Sequence, residues 1–295
     1  MNRIKIRING NQKDIKLLNE YLFSKIFAEE GCEKETLYLI NTITGNNFTD
    51  LTYKPTEMAG RYEDNKKSKV DILVMIKDGT FINIEAQRAK QEKFHKRSHF
   101  YNSKIYPIFL EKGMDYDELP MTIMINLLNF NLFPREKSYH HAFVPCDKFN
   151  KKLILEDIYE NHFLELKKFH QKIEKGKIDW NDPKERLLLL LCEKTPENLI
   201  KKVIKMDKNA NNIYEKALLA LQDQKEYLSY IRAEQADLDF KAQIKYAKKK
   251  QHKISEEIGF QKGKIEIAIN LKKSGCPDNK IAKITGLSVE EIKKL

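Results

Sequence analysis

The chain has 295 residues, 41% hydrophobic and 33% charged, with a formal net charge of +11. It is long enough to bury a sizeable core, and its composition is that of a soluble globular protein with a strongly charged surface. No apolar run approaches the roughly 20 residues that a membrane-spanning helix needs, which argues against a membrane partner. The segment after Met1 is basic but has no apolar stretch of signal-peptide kind. Cys32, Cys146, Cys192 and Cys276 are scattered and form no CxxC pair. The expectation is a cytoplasmic protein with reduced thiols and neither a disulfide nor a zinc framework.

In chain order, residues 16–45 have helical spacing, with Leu18, Tyr21, Leu22, Ile26 and Phe27 at three- and four-residue steps. Gly31 divides this stretch into two helices. Residues 51–68 mix a short strand with a polar connection. Residues 69–87, KVDILVMIKDGTFINIEAQ, are two apolar strands joined by a Gly-containing turn. A polar and aromatic helix is expected from Lys90 to Lys112, closed by Gly113. Strands follow at 121–128 and 139–145, and extended segments within 153–169. From residue 186 onward the pattern is helical, with one or two long helices over 212–250 and another over 255–274. Residues 281–295 resemble a helix–turn–helix whose second helix is opened by Ser288 and Glu291 in a capping box. Acidic Glu290 and Glu291 lie where a DNA reader would meet phosphates, which favours an assembly role over base reading. The basic excess is concentrated in this part of the chain, since residues 241–295 carry 14 basic and 6 acidic groups. It is either a polyphosphate-binding tail or a Lys-rich helical surface.

The 69–87 hairpin raises the chemical question, because Asp71, Glu85 and Gln87 interrupt sequence that is otherwise apolar. A two-residue Asp78-Gly79 loop would put Asp71 opposite Ala86, on the wrong face. A three-residue loop, Lys77-Asp78-Gly79, pairs Ile76 with Thr80 and brings Asp71 opposite Glu85, with Gly79 at the left-handed position such a turn requires. Two carboxylates so placed repel unless a proton or a cation compensates them. Mg²⁺ or another hard divalent cation suits oxygen ligands and retains water that can be activated for attack on a phosphodiester. Gln87 would aim its amide at that water or at the phosphate. Arg88, Arg97, Tyr101 and Lys104 follow. The last three share one helical face, which either holds a nucleic-acid backbone or is a plain exposed surface. His95 and His99 have metal-ligand spacing but no acidic companion. His140 and His141 are neighbours in a strand, point to opposite faces, and read as structural.

An acid, about a dozen residues, and then Glu-x-Lys across a hairpin is the signature of the PD-(D/E)XK nuclease superfamily. With Glu-x-Gln in its place, this chain resembles the Rpn family of recombination-promoting nucleases and transposase-like proteins. NEYLFSKIFA, VDILVMIKDGTFINIEAQ, RSHFYNSKIYPIFLEKGMDYDEL, MTIMINLLNFNLF and NHFLELKKF carry the resemblance, together with the tail from Gly259. It implies a mixed α/β sheet flanked by helices, as in restriction endonucleases, with an all-helical C-terminal extension. The expected division is a nuclease domain over 1–180, a helical connection over 181–254 and a helix–turn–helix-like tail over 255–295. The resemblance further implies that Asp71, Glu85 and Gln87 are catalytic and that Asp71, Glu85 and Glu20 bind the metal. Many members have Asp at the position of Glu20. The chain has Val70 where the superfamily name has Pro, and Gln87 where most of its enzymes have Lys. The implied function is metal-dependent DNA cleavage linked to recombination or mobile elements, with self-association through the helical tail. A DNA-binding or assembly protein of the same fold with a weak site remains the alternative, and a ribonuclease a third reading.

Overall fold

The computed structural model describes residues 5–8, 11–58, 68–90, 93–109 and 115–295. It opens on an antiparallel ribbon, β1 (Lys5–Ile8) with β2 (Asn11–Asp14). The helices before residue 45 are α1 (Glu20–Phe27) and α2 (Glu33–Thr44). Between them Gly31 has φ +87°, a conformation glycine adopts without a Cβ clash. Asn19 caps α1 by accepting from the Leu22 amide, and its own amide reaches the Tyr230 carbonyl.

The sheet strands are β3 (Leu51–Tyr53), β6 (Ile72–Ile76), β7 (Phe81–Gln87), β8 (Thr122–Leu128), β9 (His140–Phe143) and β10 (Tyr159–Glu165). Two short strands, β4 (Glu57–Met58) and β5 (Ser68–Lys69), pair separately. In the six-stranded sheet the order is β3-β6-β7-β8-β10-β9. Its central pairs β7–β8 and β8–β10 are parallel and the outer pairs antiparallel. The helix between β7 and β8 is α3 (Phe94–Phe109), four residues shorter at its start than the expected Lys90–Lys112 helix. The predicted closing Gly113 lies outside the described residues.

Alternation along the strands separates two cores. Ile72, Val74, Ile82, Ile84, Ile123 and Ile125 join the main core with α1, α2 and the later helices. Leu73, Phe81 and Met124 face the other way, under Ile105 and Tyr101 of α3. Residues 153–169 differ from a purely extended reading, because β10 passes directly into α4 (Leu166–Glu174) at Glu165. Glu165 is fully buried, accepts from the Phe133 amide and pairs with Lys168.

The helical region comprises α5 (Pro183–Leu191), α6 (Glu197–Met206), α7 (Lys208–Gln222) and α8 (Gln224–Lys273). Two compact units divide the chain, Met1–Asp237 and Leu238–Leu295. The first therefore takes in α5–α7, whose Leu187, Leu191, Val203, Ile213 and Leu221 belong to the main core rather than to a separate connection. One or two helices were expected over 212–250 and a further one over 255–274, and instead α8 joins most of the first stretch to the second. The break falls at Asp223, which caps α8 through the Glu226 amide, and α8 then runs without interruption through Gly259 and Gly263. In the second unit α9 (Asp278–Thr285) and α10 (Val289–Lys293) pack through Ile281, Leu287 and Ile292 against Ala268. Gly286 sits at φ +72° between them, and the Ser288–Glu291 capping box is formed.

Candidate metal centre

Hairpin register decides whether the two acids meet. Gly79 has φ +93° and donates to the Ile76 carbonyl, and the Ile76 amide donates to Thr80 at 2.9 Å. This is the three-residue loop. Ile72 pairs with Ile84 and Leu73 with Asn83, so one further step sets Asp71 opposite Glu85. Each acid then engages the other's strand. The Ala86 amide donates to Asp71 Oδ2 at 2.7 Å, and the Asp71 amide donates to Glu85 Oε1 at 3.4 Å. Gln87 donates from Nε2 to Glu85 Oε2 at 3.2 Å.

Glu85 is 1% exposed. Burial, and then the negative charge of Asp71, push its carboxyl up to about 8, with the Arg97 guanidinium opposing them. Ionising both acids without a counter-charge is thus unfavourable, and a cation resolves the conflict. Glu20, exposed at the first position of α1, lines a cavity of about 190 Å³ with Phe23, Ser24, Thr56, Asp71 and Ala86. Among the described residues no three His, Cys, Asp or Glu side chains cluster as a complete ligand set. Glu20 is therefore at the mouth of the cavity and does not form one tight cluster with the acid pair. An incomplete, all-oxygen set suits a hard ion that keeps several waters. The buried Asn126 Oδ1, on Glu85's register partner, has no protein partner and fits such a hydrated ion.

The surrounding basic residues separate into two groups. Arg97 donates from Nε to the Tyr101 hydroxyl at 2.9 Å and lies 5.0 Å over that ring, so the two act as one braced unit beside the acids. Lys104 stacks on Phe100 at 4.7 Å. Arg88 is a correction to the expected phosphate-facing set. Its side chain is 7% exposed, and it pairs with Glu193 at 2.7 Å, Glu234 at 2.6 Å and Asp237 at 3.3 Å. These carboxylates fix the end of β7 to the start of α8, and the guanidinium is committed to them. His99 lies 6.0 Å from the Tyr159 ring, and His140 Nε2 is 3.0 Å from His162 Nδ1. Asn83 shares the face of Glu85 by strand parity, and the amide of Asn126 inside the apolar TIMINLL is a further polar signal of the same kind.

The acid pair gives a pH signature in the metal-free protein. Glu85 ionises near 4.5 when unfolded and near 8 when folded, so the folded state holds the extra proton and stability falls as pH rises between those values. His140 is depressed to about 3 by burial, then by Lys184 and neighbouring His charges. Its contribution rises with pH and is complete by about 6.5. The thiols of Cys32 and Cys192, raised by burial, act above the window. From pH 6.5 to 8, chemical denaturation should show up to about 2 kcal/mol of lost stability. Glu85→Gln should flatten that slope, and an unchanged slope would count against the buried acid pair.

A mixed sheet whose antiparallel hairpin leads through one helix into a parallel strand, with an acid pair at the hairpin's open end, defines a PD-(D/E)XK-type core. The profile described as PD-(D/E)XK nuclease family transposase matches residues 17–247, and the chain belongs to this family. That agrees with the resemblance to Rpn proteins. No curated protein and no solved structure matches the chain.

Proposed function

We propose that the chain is a divalent-cation-dependent endonuclease that hydrolyses DNA phosphodiester bonds in recombination or mobile-element movement. The observation that carries this reading is the register that sets Asp71 opposite Glu85, with Glu85's carboxyl raised by its burial and then by the neighbouring charge. Asp71 and Glu85 would hold the ion, with Glu20 of the same cavity as a further carboxylate. When bound, Mg²⁺ or a similar ion offsets charge on the phosphoryl oxygens and acidifies water. Gln87 fixes the Glu85 carboxylate through its Nε2 donation. An amide brings no positive charge of its own, so the cationic role at the phosphate falls to Arg97, braced by Tyr101. Lys104 adds positive charge on the same helix. The water oxygen bonds to phosphorus as the ester P–O bond breaks, and the leaving oxygen takes up a proton.

Arg88 is left out of this interface. The second unit serves assembly in this reading, because Ile254, Ile258 and Ile265 of α8 are exposed at steps of four and seven. Gln87 in place of Lys favours one competing reading, a DNA-binding or assembly protein with little turnover. The assay that separates them incubates the full chain with supercoiled plasmid and, in parallel, with structured RNA, with Mg²⁺ or with a chelator. Nicking of the plasmid that stops with chelation is expected. Salt-sensitive plasmid binding without cleavage at any Mg²⁺ concentration selects the competing reading, and cleavage of RNA alone overturns the assignment of substrate.

A further inference from the structure

The α3-facing side of the sheet carries buried amides as well as the acids. Asn126 on β8 is the register partner of Glu85 on β7, and Asn83 precedes Glu85 by two residues on the same face. Both are fully buried. The orientation of the Asn126 amide is fixed by its partners. It donates from Nδ2 to the His162 backbone carbonyl at 2.9 Å and to Asn161 Oδ1 at 2.8 Å, and a carbonyl can only accept. Nδ2 is thus turned toward β10, which leaves Oδ1 on the side of β7 and Glu85. That oxygen has no partner. An unpaired buried acceptor costs roughly 1–3 kcal/mol, so a donor belongs beside it. With a cation bound, Glu85 is ionised and only accepts, and the neighbouring Leu73, Phe81 and Met124 are apolar.

We propose that Asn126 is a positioning residue of the metal centre, whose Oδ1 accepts a hydrogen bond from a water carried by the divalent ion at Glu85. The inference rests on the metal-site reading given above. A hard ion of the Mg²⁺ type retains water, and a fixed acceptor at its edge orients one such water and favours the hydrated ion. Asn126 is itself held by a chain of side chains. Asn161 exchanges hydrogen bonds with Ser98 at 3.2 and 3.3 Å, and Ser98 follows Arg97 on α3. The chain links β8, β10 and α3, while the His162 carbonyl holds the Asn126 amide independently of Ser98. The bland alternative is that Asn126 only ties β8 to β10 through Nδ2, in which case its oxygen has no bearing on the ion.

Calorimetric titration of the full chain with Mn²⁺ distinguishes the two, with melting of the metal-free proteins as the control for folding. Asn126→Leu should weaken Mn²⁺ binding about 10–100-fold, the usual effect of removing a group that orients a metal's ligands. Asn126→Ser, whose oxygen stops one bond short, should do the same and serves if the Leu variant does not fold. Ser98→Ala, which loosens the chain but leaves Oδ1 in place, should bind within about twofold of the parent protein. A folded Asn126 variant that binds Mn²⁺ as the parent does overturns the proposal. So does an equal loss in Ser98→Ala, since the effect would then come from packing of α3. Glu85→Ala separates the two levels of inference. If that variant keeps full Mn²⁺ affinity, the metal-site reading fails and this one with it. If it abolishes binding while Asn126→Leu does not, only the present proposal fails.

Discussion

Glu85→Ala is expected to lower Mg²⁺-dependent plasmid nicking by at least about 10³-fold, the equivalent of roughly 4 kcal/mol of lost transition-state stabilisation. The variant should nevertheless fold, because the buried carboxyl it removes is held against both desolvation and the Asp71 charge. At pH 8 and without metal it should lack the pH-dependent penalty that the parent protein carries. A site that sacrifices stability for function behaves in this way. Asp71→Ala should match it, and the double variant should be little worse than either single one, since two groups that share one task are not additive. Nicking that survives in folded Glu85→Ala would remove the hairpin from the chemistry.

The second large effect concerns stability. Arg88→Ala is expected to cost on the order of 3 kcal/mol, because it removes the guanidinium shared by the partly buried Glu193, Glu234 and Asp237, of which Glu234 keeps Lys16. For a chain of this size that corresponds to a fall of roughly 5 °C in melting temperature. Arg88→Lys should recover only part of the loss, since a single ammonium cannot reproduce a fork that serves three carboxylates. Differential scanning calorimetry checks both. A fall of less than about 2 °C for Arg88→Ala would mean that the cluster contributes little, as exposed ion pairs usually do.

These two residues also mark how far the sequence can be read unaided. The hairpin was legible because its determinants are local. Lys77-Asp78-Gly79 provides the glycine for a left-handed residue, and parity then fixes which side chains face each other. Arg88 was not legible, because its partners are 105 to 149 residues away and nothing within its own segment distinguishes a buried ion pair from a phosphate contact. A run of Arg88, Arg97 and Lys104 after an acid pair reads as one basic surface, whereas the fold sends the first to α8 and keeps the second beside Glu85.

Other differences have equally physical causes. In LILEDIYENHFLELKKF the strand-to-helix change at Glu165 is set by long-range contacts, namely the Phe133 amide and His141 at 3.6 Å, with Lys168 one turn on. The continuity of α8 was obscured by Gly259 and Gly263, each of which weakens a helix by only about 1 kcal/mol and does not end it. Its true start was available in the sequence, where Asp223 stands three residues before Glu226. The family resemblance extended the reading to Glu20, whose placement at the cavity mouth depends on how α1 packs beside the hairpin. Strand parity alone puts Asn83 on the face of Glu85, whereas Asn126 needed the sheet register before it could be related to Glu85.

The most direct test is an anomalous difference map from crystals of the full chain grown with Mn²⁺. Occupancy of a single strong peak within roughly 2.0–2.3 Å of carboxylate oxygens from both Asp71 and Glu85 is the predicted result. A peak bound to neither acid, or crystals in which Mn²⁺ leaves the hairpin empty at millimolar concentration, would contradict the shared-cation site and with it the nuclease mechanism built on it.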